Sequence, residues 1–312
     1  MKTKVQIAIL DDYQNVALTY GAWSEIEELA EITVFNDHLS GTGELVERLK
    51  PFQIIAVMRE RTPMTREILS QLTNLKLIIS TGQRNASIDM KAAEEFGITV
   101  SPTRYISNGA PELTWALLMA LSKHLVRESE NVRTGGWQTE IGVDLKGKTI
   151  GIVGLGNIGS AIARYAKAFE MDVIAWSENL TEEKASAQGA RLVSKEELFF
   201  TADFVTVHLI LSSRSKDIIG GKELDLMKPS AFFINTSRGP LVNEKALIEV
   251  LKKKKIAGAG LDVYDLEPLP SQHPFRTLPN VLATPHIGYV TENTYEVFYE
   301  DIKRNIETWL GG

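Results

Sequence analysis

The sequence predicts an α/β protein built as two parallel-sheet halves, and three observations predict it. Short apolar runs alternate with helix-like patterns along the chain, a glycine-rich turn at 154–159 joins one such run to one such pattern, and 312 residues suffice for about two domains. Hydrophobic residues make up 44% of the chain, enough for a sizeable core in each half. The formal net charge of −6 leaves no broad basic footprint, which disfavours nucleic acid or an anionic membrane as partner. Cysteine is absent, which excludes a disulfide framework, a thiol nucleophile and a thiolate metal site; no other metal-ligating cluster stands out, so no metal is expected. Met1-Lys2-Thr3-Lys4 leads straight into a short strand-like run with no long apolar stretch, and a cytoplasmic location is the default expectation.

Residues 5–10, 53–57, 75–80 and 98–100 read as strands, with helix-like patterns at 65–72 and 89–96 between them. Pro111, suited to a first helical turn, marks a long connector helix running through 112–118 towards Arg127. Asn108 and Glu112 stand at its start, where capping is the first explanation. Thr134-Gly135-Gly136-Trp137 breaks the pattern, and a second series opens at Thr149, with further strands near 173–176, 203–209, 231–236, 256–263 and 281–284. The run Lys252-Lys253-Lys254-Lys255 closes a helix-like segment at 243–251, where cations complement the negative end of the helix dipole. Tyr295, Phe298, Tyr299, Ile302, Ile306 and Trp309 recur at helical spacing and form an apolar face that needs a partner surface.

The glycine-rich turn is Gly154-Leu155-Gly156-Asn157-Ile158-Gly159, between an apolar run and a helical pattern. That context is the one a dinucleotide fingerprint requires: a tight turn, close approach to a diphosphate, and helix packed on strand. Downstream, segments 235–240, 260–268 and 284–288 place Arg238, Asp262, Glu267 and His286 at strand ends, where ligands lie in open α/β sheets. Taken singly, each has a bland account as a surface ion-pair, turn or capping residue. Together they supply what reduction of a 2-oxo acid needs: a fixed cation, a proton donor, and an anion that keeps the donor charged.

In these segments the chain resembles the D-2-hydroxyacid dehydrogenase family. Residues 75–89 and 112–118, the Gly154 fingerprint, Val207-His208-Leu209, residues 235–247 and 262–268, and Pro285-His286-Ile287-Gly288 carry the resemblance over nearly the full length. It implies a Rossmann cofactor domain at 101–287 inserted into a flavodoxin-like substrate domain made of 1–100 and 288–312, with hinges near 101–110 and 286–291. The C-terminal helix would return to the substrate domain. By the same resemblance Arg238 binds the carboxylate and carbonyl oxygen of a small 2-oxo or 2-hydroxy acid, His286 is the general acid/base, and Glu267 supports His286. Asp262 would contact the nicotinamide carboxamide, and Gly154, Gly156, Asn157, Ile158, Gly159, Ser177, His208, Thr236 and Gly288 would line the cofactor. Gly82, Gln83 and Arg84 lie in the loop whose backbone amides receive the substrate carboxylate, and the Trp137 region resembles a homodimer contact, although that tryptophan could equally fill a gap under the connector.

Several positions depart from the family pattern. Ser177 stands where an acid normally meets the adenosine ribose, which removes the repulsion against a 2′-phosphate, while neighbouring Glu178 either restores it or faces solvent. No arginine follows immediately, so NAD is slightly favoured over NADP. Arg84 replaces a small residue and, with Arg59 and Arg61, invites a more anionic substrate, although Glu60 and Glu67 are mundane partners for the latter two. His208 keeps its place, but Ile210 replaces a proline beyond it. Glu267 argues against formate dehydrogenase chemistry, whose relatives pair glutamine with the histidine. The competing expectation from another class is a dimeric, NAD(H)-binding regulatory scaffold with little turnover, similar to the family's corepressor relatives; a methyltransferase is more distant.

Overall fold

The computed structural model describes residues 4–21 and 23–311. Among them the strands form two sheets, and every pairing is parallel. The first sheet contains β1 (Val5–Ile9), β2 (Ala30–Val34), β3 (Ile54–Val57), β4 (Leu77–Ser80) and β5 (Thr99–Pro102) in the order β2-β1-β3-β4-β5. That is the flavodoxin-like order. The second contains β6 (Thr149–Val153), β7 (Asp172–Trp176), β8 (Arg191–Leu192), β9 (Phe204–Val207), β10 (Phe232–Asn235), β11 (Gly258–Leu261) and β12 (Val281–Ala283). Its order, β12-β11-β10-β9-β6-β7-β8, is that of a Rossmann domain with one further edge strand. The chain divides into two compact units: one runs up to Ile106 and resumes at Val290, and the other is Ser107–Tyr289.

In the first unit β3 and β4 are buried at every position, because a parallel sheet is covered on both faces and selects continuous apolar runs. Leu45, Val46 and Leu49 of the helix Thr42–Leu49 join Ile55, Val57 and Ile78 in one core cluster. The C-terminal helix Glu292–Gly311 belongs to this unit and buries Tyr295, Phe298, Tyr299, Ile302 and Ile306, with Trp309 half-buried. Tyr20 stacks on Tyr299 at 5.7 Å and Tyr105 on Phe298 at 6.1 Å, so the apolar face has its partner within the same unit.

In the second unit the helix Gly109–Ser122 sets Leu117, Leu118 and Leu121 against Ile150, Ile152, Phe232 and Ile234. It stops short of the expected Arg127. His124 takes a left-handed conformation at φ +52°, and a separate helix, Leu125–Arg133, follows with no buried residue to hold the two in line. Asn108 is not the expected cap: its backbone is already helical and its side chain makes no capping bond. Asn243, by contrast, accepts from the Ala246 amide at 3.0 Å and starts the helix Glu244–Lys252, whose last turn carries Lys252. Two edge strands went unpredicted: β2, which is largely half-exposed, and β8, which has only two residues. Among the described residues no helix is long and apolar enough to cross a membrane, and no group of three acidic or imidazole side chains could hold a metal ion.

Candidate active site

The second sheet reverses its strand order between β6 and β9, and the loops at the carboxyl ends of its strands carry the candidate residues. Gly154 follows β6 at φ +100°, and a Cβ there would lie 2.8 Å from the His208 carbonyl oxygen. A Cβ on Gly159 would lie 2.1 Å from the Gly154 oxygen, so the outer glycines serve close packing of strand and helix. Gly156 differs: a Cβ there meets nothing within 4 Å, and the residue is exposed at the N-cap of the helix Asn157–Ala168, where Asn157 is also exposed and Ile158 half-buried. Open space beside a helix N-terminus fits the diphosphate of a dinucleotide. Ser177 follows β7, whose Trp176 carbonyl accepts the Gly154 amide at 2.8 Å, while Glu178 is exposed.

His208 follows β9. Its Nε2 lies 2.8 Å from the Thr206 hydroxyl, whereas its Nδ1 is buried without a hydrogen-bond partner among the described residues. Burial pulls its pKa down to about 3, which keeps the ring neutral at physiological pH. Thr236 is buried, with its hydroxyl 2.6 Å from that of Thr114. Thr114 donates to the Ala110 carbonyl at 2.8 Å, so Thr236 is the donor between them and keeps only acceptor capacity.

The Arg238 turn is built by Asn235, the last residue of β10 and nearly fully buried. Asn235 Oδ1 accepts from the Ser237 amide at 3.0 Å, and its Nδ2 donates to the Arg238 carbonyl at 2.9 Å. Arg238 itself is half-buried and extended, with Nη1 donating to the Ser237 carbonyl at 2.7 Å.

Asp262, fully buried after β11, organises the loop that carries His286. Its Oδ1 accepts from the Thr284 hydroxyl at 2.6 Å and the Ile287 amide at 2.8 Å, and its Oδ2 from the Gly288 amide at 2.9 Å. Burial nonetheless lifts its carboxyl pKa above the usual carboxylate range, against the pull of these donors. His286 is left-handed at φ +53°. Such a backbone costs about 1–3 kcal/mol outside glycine, whereas hydrogen bonds to a charged group contribute roughly 1.5–3 kcal/mol each, so the two amides on Asp262 suffice to hold it.

Glu267 and His286, nineteen positions apart in sequence, meet: Nδ1 lies 2.5 Å from Glu267 Oε2. The other carboxylate oxygen accepts from the Tyr264 amide at 2.9 Å. The Tyr264 hydroxyl donates to the Leu261 and Thr284 carbonyls at 3.1 and 2.8 Å, tying the ends of β11 and β12 together, and Tyr289 meets the His286 ring edge-on at 5.6 Å. Asn235, Tyr264 and Thr284 were missed as site-builders. An asparagine at a strand end, where Asx-turns form, was the signal available for the first; the other two act through contacts that no local pattern reports.

In the first unit Gly82 turns at φ +86° after β4, and its amide donates to the Thr103 hydroxyl at 2.8 Å. That amide is bonded within the unit, while Gln83 and Arg84 are exposed. Arg59 pairs with Glu60 at 3.6 Å and donates to the Thr81 carbonyl at 3.1 Å; Arg61 donates to the Asp11 carbonyl at 2.6 Å and lies 4.4 Å over the Tyr13 ring. Trp137 is 73% exposed, which overturns its gap-filling alternative.

The family model for the NAD binding domain of D-isomer specific 2-hydroxyacid dehydrogenases matches residues 115–288. The chain belongs to this family. It is 36% identical over 295 residues to a D-3-phosphoglycerate dehydrogenase of Methanocaldococcus jannaschii, covering 92% of this chain but only 55% of that protein. It is likewise 36% identical to a glyoxylate reductase of Thermococcus litoralis, over 92% of this chain and 89% of that one. Among solved structures, a phosphoglycerate oxidoreductase from Vibrio cholerae superposes with a TM-score of 0.93 at 39% identity, covering 98% of both chains. The family's cofactor-binding domain thus coincides with the sheet whose strand ends carry Arg238, Asp262 and His286.

Proposed function

We propose that this chain is an NAD(P)-dependent oxidoreductase that transfers a hydride between nicotinamide and C2 of a small 2-hydroxy or 2-oxo acid. The observation that carries it is the 2.5 Å contact between His286 Nδ1 and Glu267, on a ring whose Nε2 is bonded to no other described residue. The cofactor, when bound, supplies the hydride in reduction and takes it in oxidation. Gly156 and the N-terminus of Asn157–Ala168 would hold its diphosphate, with Gly154, Asn157, Ile158, Gly159, Ser177, His208, Thr236, Asp262 and Gly288 along it.

Arg238 holds the carboxylate and carbonyl oxygen of the acid, a planar fork matched to two oxygens. Glu267 accepts a hydrogen bond from Nδ1–H and stabilises the imidazolium, which leaves Nε2–H to protonate the C2 oxygen as negative charge builds there. In the reverse direction neutral His286 takes that proton back. Gln83 and Arg84, exposed on their turn, are the proposed carboxylate contacts of the first unit. We further propose NAD as the preferred cofactor, since no arginine follows Ser177, and a homodimer, supported by the exposed Trp137 and the 92% exposed Ile141.

Oxidation of NADH and, separately, NADPH with glyoxylate, hydroxypyruvate, pyruvate, oxaloacetate and phenylpyruvate tests the chemistry. Turnover is expected with at least one acid and should fall about 10²–10⁴-fold in His286→Ala. Wild-type turnover by His286→Ala or Arg238→Ala at saturating cofactor would overturn it.

A further inference from the structure

We propose that Glu244 and His273 form a second imidazole–carboxylate pair, not itself catalytic, that positions Glu267 and through it the proton-transfer imidazole of His286. Glu244 is the first residue of the helix Glu244–Lys252, six residues after Arg238. Its Oε1 lies 3.1 Å from His273 Nε2, and its Oε2 accepts from the Asp265 amide at 3.3 Å.

The tautomer of His273 follows from its other nitrogen. Nδ1 accepts from the Phe275 amide at 3.3 Å, so it carries no proton, and Nε2–H donates to Glu244. Both nitrogens are engaged, and the two side chains are only 14% and 20% exposed. A ring held this way cannot pass a proton without breaking one of its bonds; it can only hold Glu244 in place.

What Glu244 holds is the peptide next to the one that grips Glu267. The Asp265 amide donates to Glu244, and the adjacent Tyr264 amide donates to Glu267 Oε1, whose Oε2 faces His286. The Tyr264–Asp265 segment is thus fixed between two carboxylates. The backbone of Gly239 closes on it from the other side, since a Cβ there would lie 2.1 Å from the Tyr264 carbonyl carbon. The cavity between Gly239, Glu244 and Phe275 measures about 10 Å³, at the lower limit for one water, so little room is left beside Glu244 on the Gly239 side.

Asp265 has its carboxyl pKa raised by burial and then by Glu244 and Asp217, with Lys216 and His273 opposing. Around His286 stand Glu267, the Asp262 carboxylate and the Tyr289 ring edge. Removing Glu244 frees the Asp265 amide, loosens the Tyr264 grip on Glu267, and so weakens the anion that stabilises protonated His286.

Resting as it does on the assignment of His286 and Glu267 as the proton-transfer pair, the proposal needs a readout independent of turnover. Full-length wild-type, Glu244→Ala, His273→Ala and His273→Gln proteins would be titrated by NMR of the imidazole C–H signals, with His286 assigned from the His286→Gln spectrum, alongside pH profiles of kcat/KM. The alkaline limb of kcat/KM is expected to move down in both alanine variants, with a loss of rate above neutrality of about threefold or more. His273→Gln, which keeps a donor where Nε2–H stands, should restore most of both. Unchanged midpoints in the alanine variants would overturn the proposal, as would a uniform rate loss with no shift in either profile. Should Glu244→Ala fail to fold, the His273 variants decide. If the wild type reduced no 2-oxo acid the proposed function would fail, yet the midpoints would still test the brace.

Discussion

The two imidazole–carboxylate pairs of the second unit use the same parts and differ in what remains unbonded. In each, a glutamate accepts one backbone amide, from Tyr264 or from Asp265, and one imidazole nitrogen. His273 also accepts the Phe275 amide, which fills its second nitrogen; His286 does not, and its left-handed backbone is held by the loop around Asp262. A histidine with both nitrogens engaged braces the fold, whereas one nitrogen held and one spare can transfer a proton.

The comparison breaks most plainly under one substitution made at both sites. His286→Gln should lower kcat/KM by about 10²–10⁴, while His273→Gln, which retains the donor to Glu244, should stay within about threefold of wild type. Steady-state kinetics with the best acid of the panel reads both. Equal losses at the two sites would erase the distinction between brace and proton donor.

A smaller effect is expected at Glu267. Glu267→Gln keeps an acceptor for the Tyr264 amide but removes the charge that favours protonated His286. The alkaline limb should therefore move down by about one unit or more, with a comparable loss of rate above neutrality and little change in cofactor KM. An unshifted limb would mean that Glu267 merely orients the ring.

Sequence legibility follows the same division. The fingerprint at Gly154, Gly156 and Gly159, the order of Arg238, Glu267 and His286, and the alternation of strands and helices are local patterns, and they could be read without coordinates. Family membership and the paired α/β folds were legible for that reason. The brace was not, because Glu244 and His273 are 29 residues apart and meet only once the helix Glu244–Lys252 has docked. Nor was the work of Asp262, whose three bonds come from residues 22 to 26 positions on. The break at His124 escaped notice because a helical pattern continues across it; only the lack of any buried residue in Leu125–Arg133 explains why the two helices need not be collinear.

The last effect is on stability and compares the two units in acid. His208, beyond β9, has its pKa pulled down to about 3 by burial, against an ordinary 6.5. Its neutral form therefore contributes stability that is complete above about pH 6.5 and is lost as pH falls towards 3, because the unfolded chain binds the proton first. Asp301, which anchors the C-terminal helix in the other unit, is pushed up by its own burial but held below its ordinary 3.8 by hydrogen bonds from the Arg104 amide at 2.7 Å and guanidinium at 2.9–3.1 Å. Its contribution is present above 3.8 and is lost only as pH falls below that. Acidification from pH 7.5 to 5 should therefore loosen β9 and leave the C-terminal helix unaffected. Hydrogen exchange, corrected for the intrinsic rate, should rise by up to about thirtyfold at β9 relative to that helix, and His208→Gln should abolish the difference. Equal protection of the two elements at both pH values would show that the His208 ring accepts its proton in the folded state as readily as in the unfolded one.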